Sequence, residues 1–109
     1  KCDVGDYRFL GYGGLGFSRI TKDLENFILK NKSKNKKNVL VFHQPPFGTK
    51  LDKISEVGHV GNKSMTKIIK SIKPILSVSG HIHETFNITD KIGKTILINP
   101  GPEGRIISI

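Results

Sequence analysis

Alanine is absent from the 109 residues, and cysteine occurs once, at Cys2. A lone cysteine excludes an internal disulfide framework and fits a reducing, cytoplasmic interior. No stretch approaches the run of about 18 apolar residues that a membrane-spanning helix needs. The opening residues KCDVGDYRF carry no apolar segment of the kind found in a signal peptide. The Asn-x-Ser/Thr sequons at Asn31, Asn62 and Asn87 therefore read as chance matches in an asparagine-rich chain. Acidic residues are also scarce: 9 against 18 lysines and arginines, a formal charge of +9. Such a balance permits nucleic-acid binding. Much of it, however, is concentrated in KNKSKNKK, Lys30 to Lys37, which has no aromatic for base stacking. A solvated loop and surface lysines account for the charge at least as well, so nucleic acid is the weaker partner class. Internal repeats and inter-domain linkers are lacking, and we expect residues 1–109 to form a single domain or part of one. An apolar fraction of 36% with 25% charged residues fits a folded chain with a modest core.

What is present reads as alternating strands and helices. YRFLGY, residues 7–12, predicts a strand, followed by a glycine-rich turn. SRITKDLENFILKN, residues 18–31, places Ile20, Leu24, Phe27 and Ile28 on one helical stripe. NVLVFH, residues 38–43, is a continuous apolar run suited to a strand covered on both faces. The long segment QPPFGTKLDKISEVGHVG, residues 44–61, is a loop, and loops of that length inside a domain usually serve function. NKSMTKIIKSIK, residues 62–73, predicts a helix capped by Asn62 and stopped by Pro74. ILSVSG, residues 75–80, is a second buried strand. TFNIT, KTILIN and RIISI then read as a terminal antiparallel meander. The order β-α-β-α-β followed by strands points to α/β packing.

The histidines carry the chemistry. SGHIHE, residues 79–84, holds two of the four, His81 and His83, and imidazoles two positions apart can share a metal ion. His43 closes one buried strand and His81 follows another. Parallel strands joined by helical crossovers end on the same edge, where ligands bind. His43, His81 and His83 are thus expected to meet in space, with His59 overhanging them from the long loop. Competing motifs are weaker. Gly11, Gly13 and Gly16 fit Gly-x-Gly-x-x-Gly, but the next strand ends in FHQPP without the acidic residue a dinucleotide site wants. GNKS, Gly61 to Ser64, has the wrong upstream glycines for a phosphate loop. Glu56 and Glu84 read as solvated carboxylates.

The chain resembles the calcineurin-like metallophosphoesterases. The resemblance rests on VLVFHQPP, a strand then histidine then a proline pair, and on SVSGHIHE, a Gly-His-x-His signature about forty residues on. HVGNKSMTKIIKSIKP and ILINPG also resemble that family, so the likeness covers residues 38–102. It implies an α/β fold: half of a metallophosphoesterase-type β-sandwich flanked by helices, with a mixed sheet, two helices and a terminal antiparallel meander. It implies a metal-dependent phosphoesterase that hydrolyses phosphomonoesters or phosphodiesters with a hydroxide activated by two metal ions. His43, His81 and His83 resemble metal ligands, and His59 and Asn62 resemble residues that touch the substrate phosphate. The ions would be two of manganese, iron, zinc or nickel, about 3.5–4 Å apart. The family's earlier motifs, Asp-x-His, Gly-Asp-x-x-Asp and Gly-Asn-His-Asp/Glu, are not found: Gly5-Asp6 is followed by Arg8 and Phe9. We therefore expect this chain to be the C-terminal half of such a domain, inactive alone, with no catalytic residue of its own beyond the ligands. Its expected partners are a phosphate ester, the N-terminal half and a second copy of itself. A non-catalytic metal-binding domain and a basic nucleic-acid-binding domain stay open as alternatives.

Overall fold

A computed structural model describes residues 1–12, 22–80, 82–102, 104 and 106, with the His83 side chain left aside. The strands are β1 (Cys2–Val4), β2 (Tyr7–Tyr12), β3 (Lys37–Phe42), β4 (Lys53–Ile54), β5 (Gly58–His59), β6 (Leu76–Val78), β7 (Thr89–Ile92) and β8 (Thr95–Ile98). The helices are α1 (Lys22–Asn31) and α2 (Lys63–Ile72). Six strands form one sheet in the order β1-β2-β3-β6-β8-β7. β2, β3, β6 and β8 run parallel, while the outer strands β1 and β7 pair antiparallel with β2 and β8. β4 and β5 make a separate two-stranded ribbon within the long loop.

Alternation along each strand decides what each sheet face meets. Leu10, Leu40, Phe42 and Leu97 point to the face that packs on Leu24 and Ile28 of α1 and Met65, Ile68 and Ile69 of α2. Each such side chain, fully buried, contributes about 1.5–3 kcal/mol. The other face gathers Val39, Leu76 and Ile98, with Tyr7, Phe9, Val78 and Ile96 around them. Among the described residues that second cluster draws on strand residues and Ile75 alone, and Val41 on the central strand β3 is 42% exposed. A parallel sheet normally carries cover on both faces.

α2 follows its sequence signals. Asn62 adopts extended backbone, and its side-chain oxygen accepts the Met65 N–H as an N-cap. Lys73 ends the helix at φ 52°, ψ 59°, its N–H donating to the Ile69 carbonyl. The two helices are joined by a polar clamp. Ser64 Oγ donates to Glu25 Oε2 at 2.8 Å, and Lys67 Nζ lies 3.1 Å from Oε1. The Ser64 hydroxyl, with the Lys67 and Lys22 charges behind it, holds the Glu25 carboxyl below its ordinary value despite burial. A folded-state pKa below the unfolded one gives stability that is present above the unfolded carboxylate range and lost as pH falls through the folded value. We expect Glu25→Gln to cost about 1.5 kcal/mol at neutral pH. The gap to the parent should close on acidification, as read from urea midpoints at a series of pH values.

Several expectations needed adjusting. The helix predicted over 18–31 is described from Lys22; residues 18–21 lie outside the described residues. TFNIT is not a strand: His83–Thr85 forms a 3-10 turn, and Asn87 at φ 63° breaks extended structure, so β7 starts only at Thr89. β8 does not trail off in a meander, because its other edge pairs parallel with β6 inside the sheet. RIISI lies, apart from Ile106, outside the described residues. The short strands β1, β4 and β5 carry no periodicity that sequence could show.

Candidate functional site

The sheet topology brings three chain segments to one edge. β3, β6 and β8 are parallel neighbours, so His43, Ser79-Gly80 and Asn99-Pro100 all follow carboxyl ends of adjacent strands. A cleft of about 570 Å3 opens there, lined by Phe42, His43, Val78, Ser79, Gly80, Phe86, Asn99, Pro100, Gly101 and Pro102. Gly80 N–H donates to the His43 carbonyl at 2.9 Å, and Ser79 N–H donates to the Ile98 carbonyl at 3.0 Å. Main-chain bonds thus tie the three segments together where the strand ladders stop. His43 itself is exposed. Ser79 is buried, and its hydroxyl has no hydrogen-bond partner among the described residues.

His81 lies outside the described residues, and only the backbone of His83 falls within them. Of the three expected metal ligands the structure therefore places one ring, that of His43, on the cleft. It also brings the Gly80 peptide, immediately before His81, against the His43 carbonyl. Among the described residues no group of three or more His, Cys, Asp or Glu side chains stands ready for an ion. The donor chemistry still fits a divalent cation in part. An exposed imidazole, a buried hydroxyl without a described partner and the start of Gly-His-x-His share one rim, and imidazole suits zinc, iron and nickel. Among the described residues no carboxylate lines this cleft.

The long loop is built around one carboxylate that the sequence reading missed. Asp52 is wholly buried and accepts backbone N–H bonds from Thr49 at Oδ1 and from Gly48 and Gly61 at Oδ2. Its Oδ1 also lies 2.6 Å from Nδ1 of His59. A carboxylate only accepts, so it fixes the imidazole with the proton on Nδ1 and turns Nε2 the other way. His59 keeps 37% of its side chain exposed and leans its ring on Phe47, 5.7 Å between centroids. Asn62 is different. It is wholly buried, caps α2 with Oδ1 and donates to Gln44 Oε1 at 3.2 Å, so its described bonds serve the fold of the loop.

A second missed residue is Asn99. It is buried on the cleft, with Nδ2 donating to the Ile82 carbonyl and to Thr85 Oγ1. The Asn-Pro-Gly turn was the available signal, since Asn side chains commonly bond the backbone around turns. Gly80 does not have an unusual φ, and a Cβ there would meet only the His43 carbonyl at 3.9 Å. Glycine at 80 is thus not demanded by the described packing.

Known proteins resemble this chain in sequence and in fold. The family model described as metallophosphoesterase, calcineurin superfamily, matches residues 18–106. An uncharacterized protein of Methanocaldococcus jannaschii is 37% identical over 95% of this chain and 52% of its own length. A solved crystal structure superposes with a TM-score of 0.71 at 28% identity, covering 93% of this chain and 43% of the other. The chain spans about half the length of the curated relative it matches.

Proposed function

The chain belongs to the calcineurin superfamily of metallophosphoesterases, and from that premise we propose that it carries the histidine half of a phosphoester-hydrolysing metal centre. One observation supports this above the others: the Gly80 N–H meets the His43 carbonyl at the carboxyl edge of the sheet, drawing the two histidine motifs to one cleft. His43, His81 and His83 hold divalent ions of manganese, iron, zinc or nickel. When bound, such ions polarise a phosphoryl oxygen and offset the negative charge that develops on it. His59, oriented by Asp52, contacts the substrate phosphate, and Asn62 serves that contact by fixing the loop that carries it. The carboxylates that complete the centre come from an N-terminal half, which packs on the sheet face around Val39 and Val41. The protein works in the cytoplasm, consistent with its single cysteine. No helix among the described residues is long and apolar enough to cross a membrane.

The test compares two proteins, residues 1–109 and a longer chain that includes the preceding half. With manganese, the longer chain should hydrolyse bis-(p-nitrophenyl) phosphate, lose that activity to a chelator and regain it when manganese returns. Residues 1–109 should be inactive and self-associate through the apolar sheet face. Hydrolysis by the longer chain that is indifferent to chelation would overturn the metal reading.

A further inference from the structure

We infer that Asn99, acting with Thr85, is the positioning residue for the Gly-His-x-His segment; the inference rests on the metal reading above. Ile82 sits between the two histidines, and its peptide is gripped on both sides. Its N–H donates to the Gly80 carbonyl at 2.9 Å. Its carbonyl accepts from Asn99 Nδ2 at 3.0 Å and from Thr85 N–H at 3.2 Å, with Thr85 Oγ1 3.1 Å away. Its side chain is buried. The Ile82 peptide is thereby held at both its N–H and its carbonyl, and planarity passes that constraint on to the direction of the chain toward His83.

Asn99 spends both amide hydrogens on this one turn, the second going to Thr85 Oγ1 at 3.1 Å. Its Oδ1 accepts the Gly101 N–H at 3.2 Å, so the carboxamide cannot rotate without breaking bonds on both ends. Its backbone adds two more ties, Asn87 N–H to its carbonyl and its own N–H to the Ile88 carbonyl. Thr85 Oγ1 also lies 2.9 Å from the Leu51 carbonyl, which links the turn to the loop next to Asp52. The Asn99 side chain thus reaches 17 positions back to the peptide between the two histidines. Supporting groups of this kind hold ligands in place, and their loss typically lowers metal affinity about 10- to 100-fold.

The experiment is calorimetric titration of manganese, then zinc, into metal-free longer protein, for the parent and for Asn99→Ala, Asn99→Asp and Thr85→Val. Thermal melts of each metal-free protein run alongside. Asn99→Asp keeps the acceptor for Gly101 and removes both donors. The expected result is metal affinity about 10- to 100-fold below the parent in Asn99→Asp, and a smaller loss in Thr85→Val, while both stay folded. Affinity within twofold of the parent in folded Asn99→Asp overturns the positioning role and leaves the metal reading standing. A folded parent that binds neither metal overturns the metal reading, and this inference with it. Should Asn99→Ala and Asn99→Asp both unfold, Thr85→Val decides by the same criterion.

Discussion

His43→Ala in the longer protein is expected to lose more than about 100-fold in divalent-metal affinity and in phosphoester hydrolysis together. That figure is the upper end for losing a mere supporting group, and His43 is proposed as a ligand itself. The substitution isolates chemistry from folding. Gly80 N–H donates to the His43 carbonyl, a bond that alanine retains. The side chain is exposed, so truncating it should move stability by no more than about 0.5 kcal/mol. The measurements are manganese titration, bis-(p-nitrophenyl) phosphate turnover and a urea melt. Full activity with an unchanged melt would remove His43 from the ligand set. His81→Ala and His83→Ala should match His43→Ala in both metal affinity and turnover if the three rings serve one centre.

Gly61→Ala should destabilise the domain by about 3 kcal/mol, the upper part of the range for forcing atoms into a packed site. A Cβ at position 61 would sit 2.5 Å from the Pro45 carbonyl oxygen and 2.9 Å from both Asp52 Cβ and the Phe47 nitrogen. Two of these are backbone atoms and the third is the root of a buried side chain, so no flexible tip can swing aside. The surrounding bonds tighten the constraint. Gly61 N–H donates to Asp52 Oδ2, Asn62 N–H donates to the Pro45 carbonyl, and Phe47 N–H donates to the Asn62 carbonyl. Relief therefore requires the 45–47 and 61–62 segments to part, which frees Asp52 and with it the orientation of His59. Urea midpoints and limited proteolysis of the 48–60 loop would register this. A midpoint unchanged from the parent would show that the loop accommodates a methyl group and is less tightly built than its bonds suggest.

How far sequence foretold these features depends on where the signal lies. Periodicity exposed α2, because Met65, Ile68, Ile69 and Ile72 repeat on one face and Asn62 and Pro74 mark its ends. Apolar runs exposed β3 and β6, although the expected cover on both faces is not seen at Val41, which is 42% exposed among the described residues. The shared edge of His43 and Gly80 followed from parallel topology alone. Asp52 stayed hidden because its role is made of backbone N–H groups brought in from positions 48, 49 and 61, a pattern that side-chain spacing does not encode. Asn99 stayed hidden for the same reason, as its partners are a carbonyl at 82 and a hydroxyl at 85. The 85–89 segment misled because its β-branched residues favour a strand, while Asn87 takes a left-handed conformation.

The sheet's two rims bear on how unaccompanied copies of this stretch would aggregate. β1 is three residues long and places Asp3 under Arg8 and Lys36, and β7 at the far rim is four residues long and carries Asp90 and Lys91. Short, charged outer strands resist the addition of a further strand. Among the described residues the greasy broadside around Val41 carries no such guard. Self-association of such copies is therefore expected across that broadside and not along the rims, which size-exclusion chromatography of residues 1–109 would read as a dimer and not a ladder of larger species.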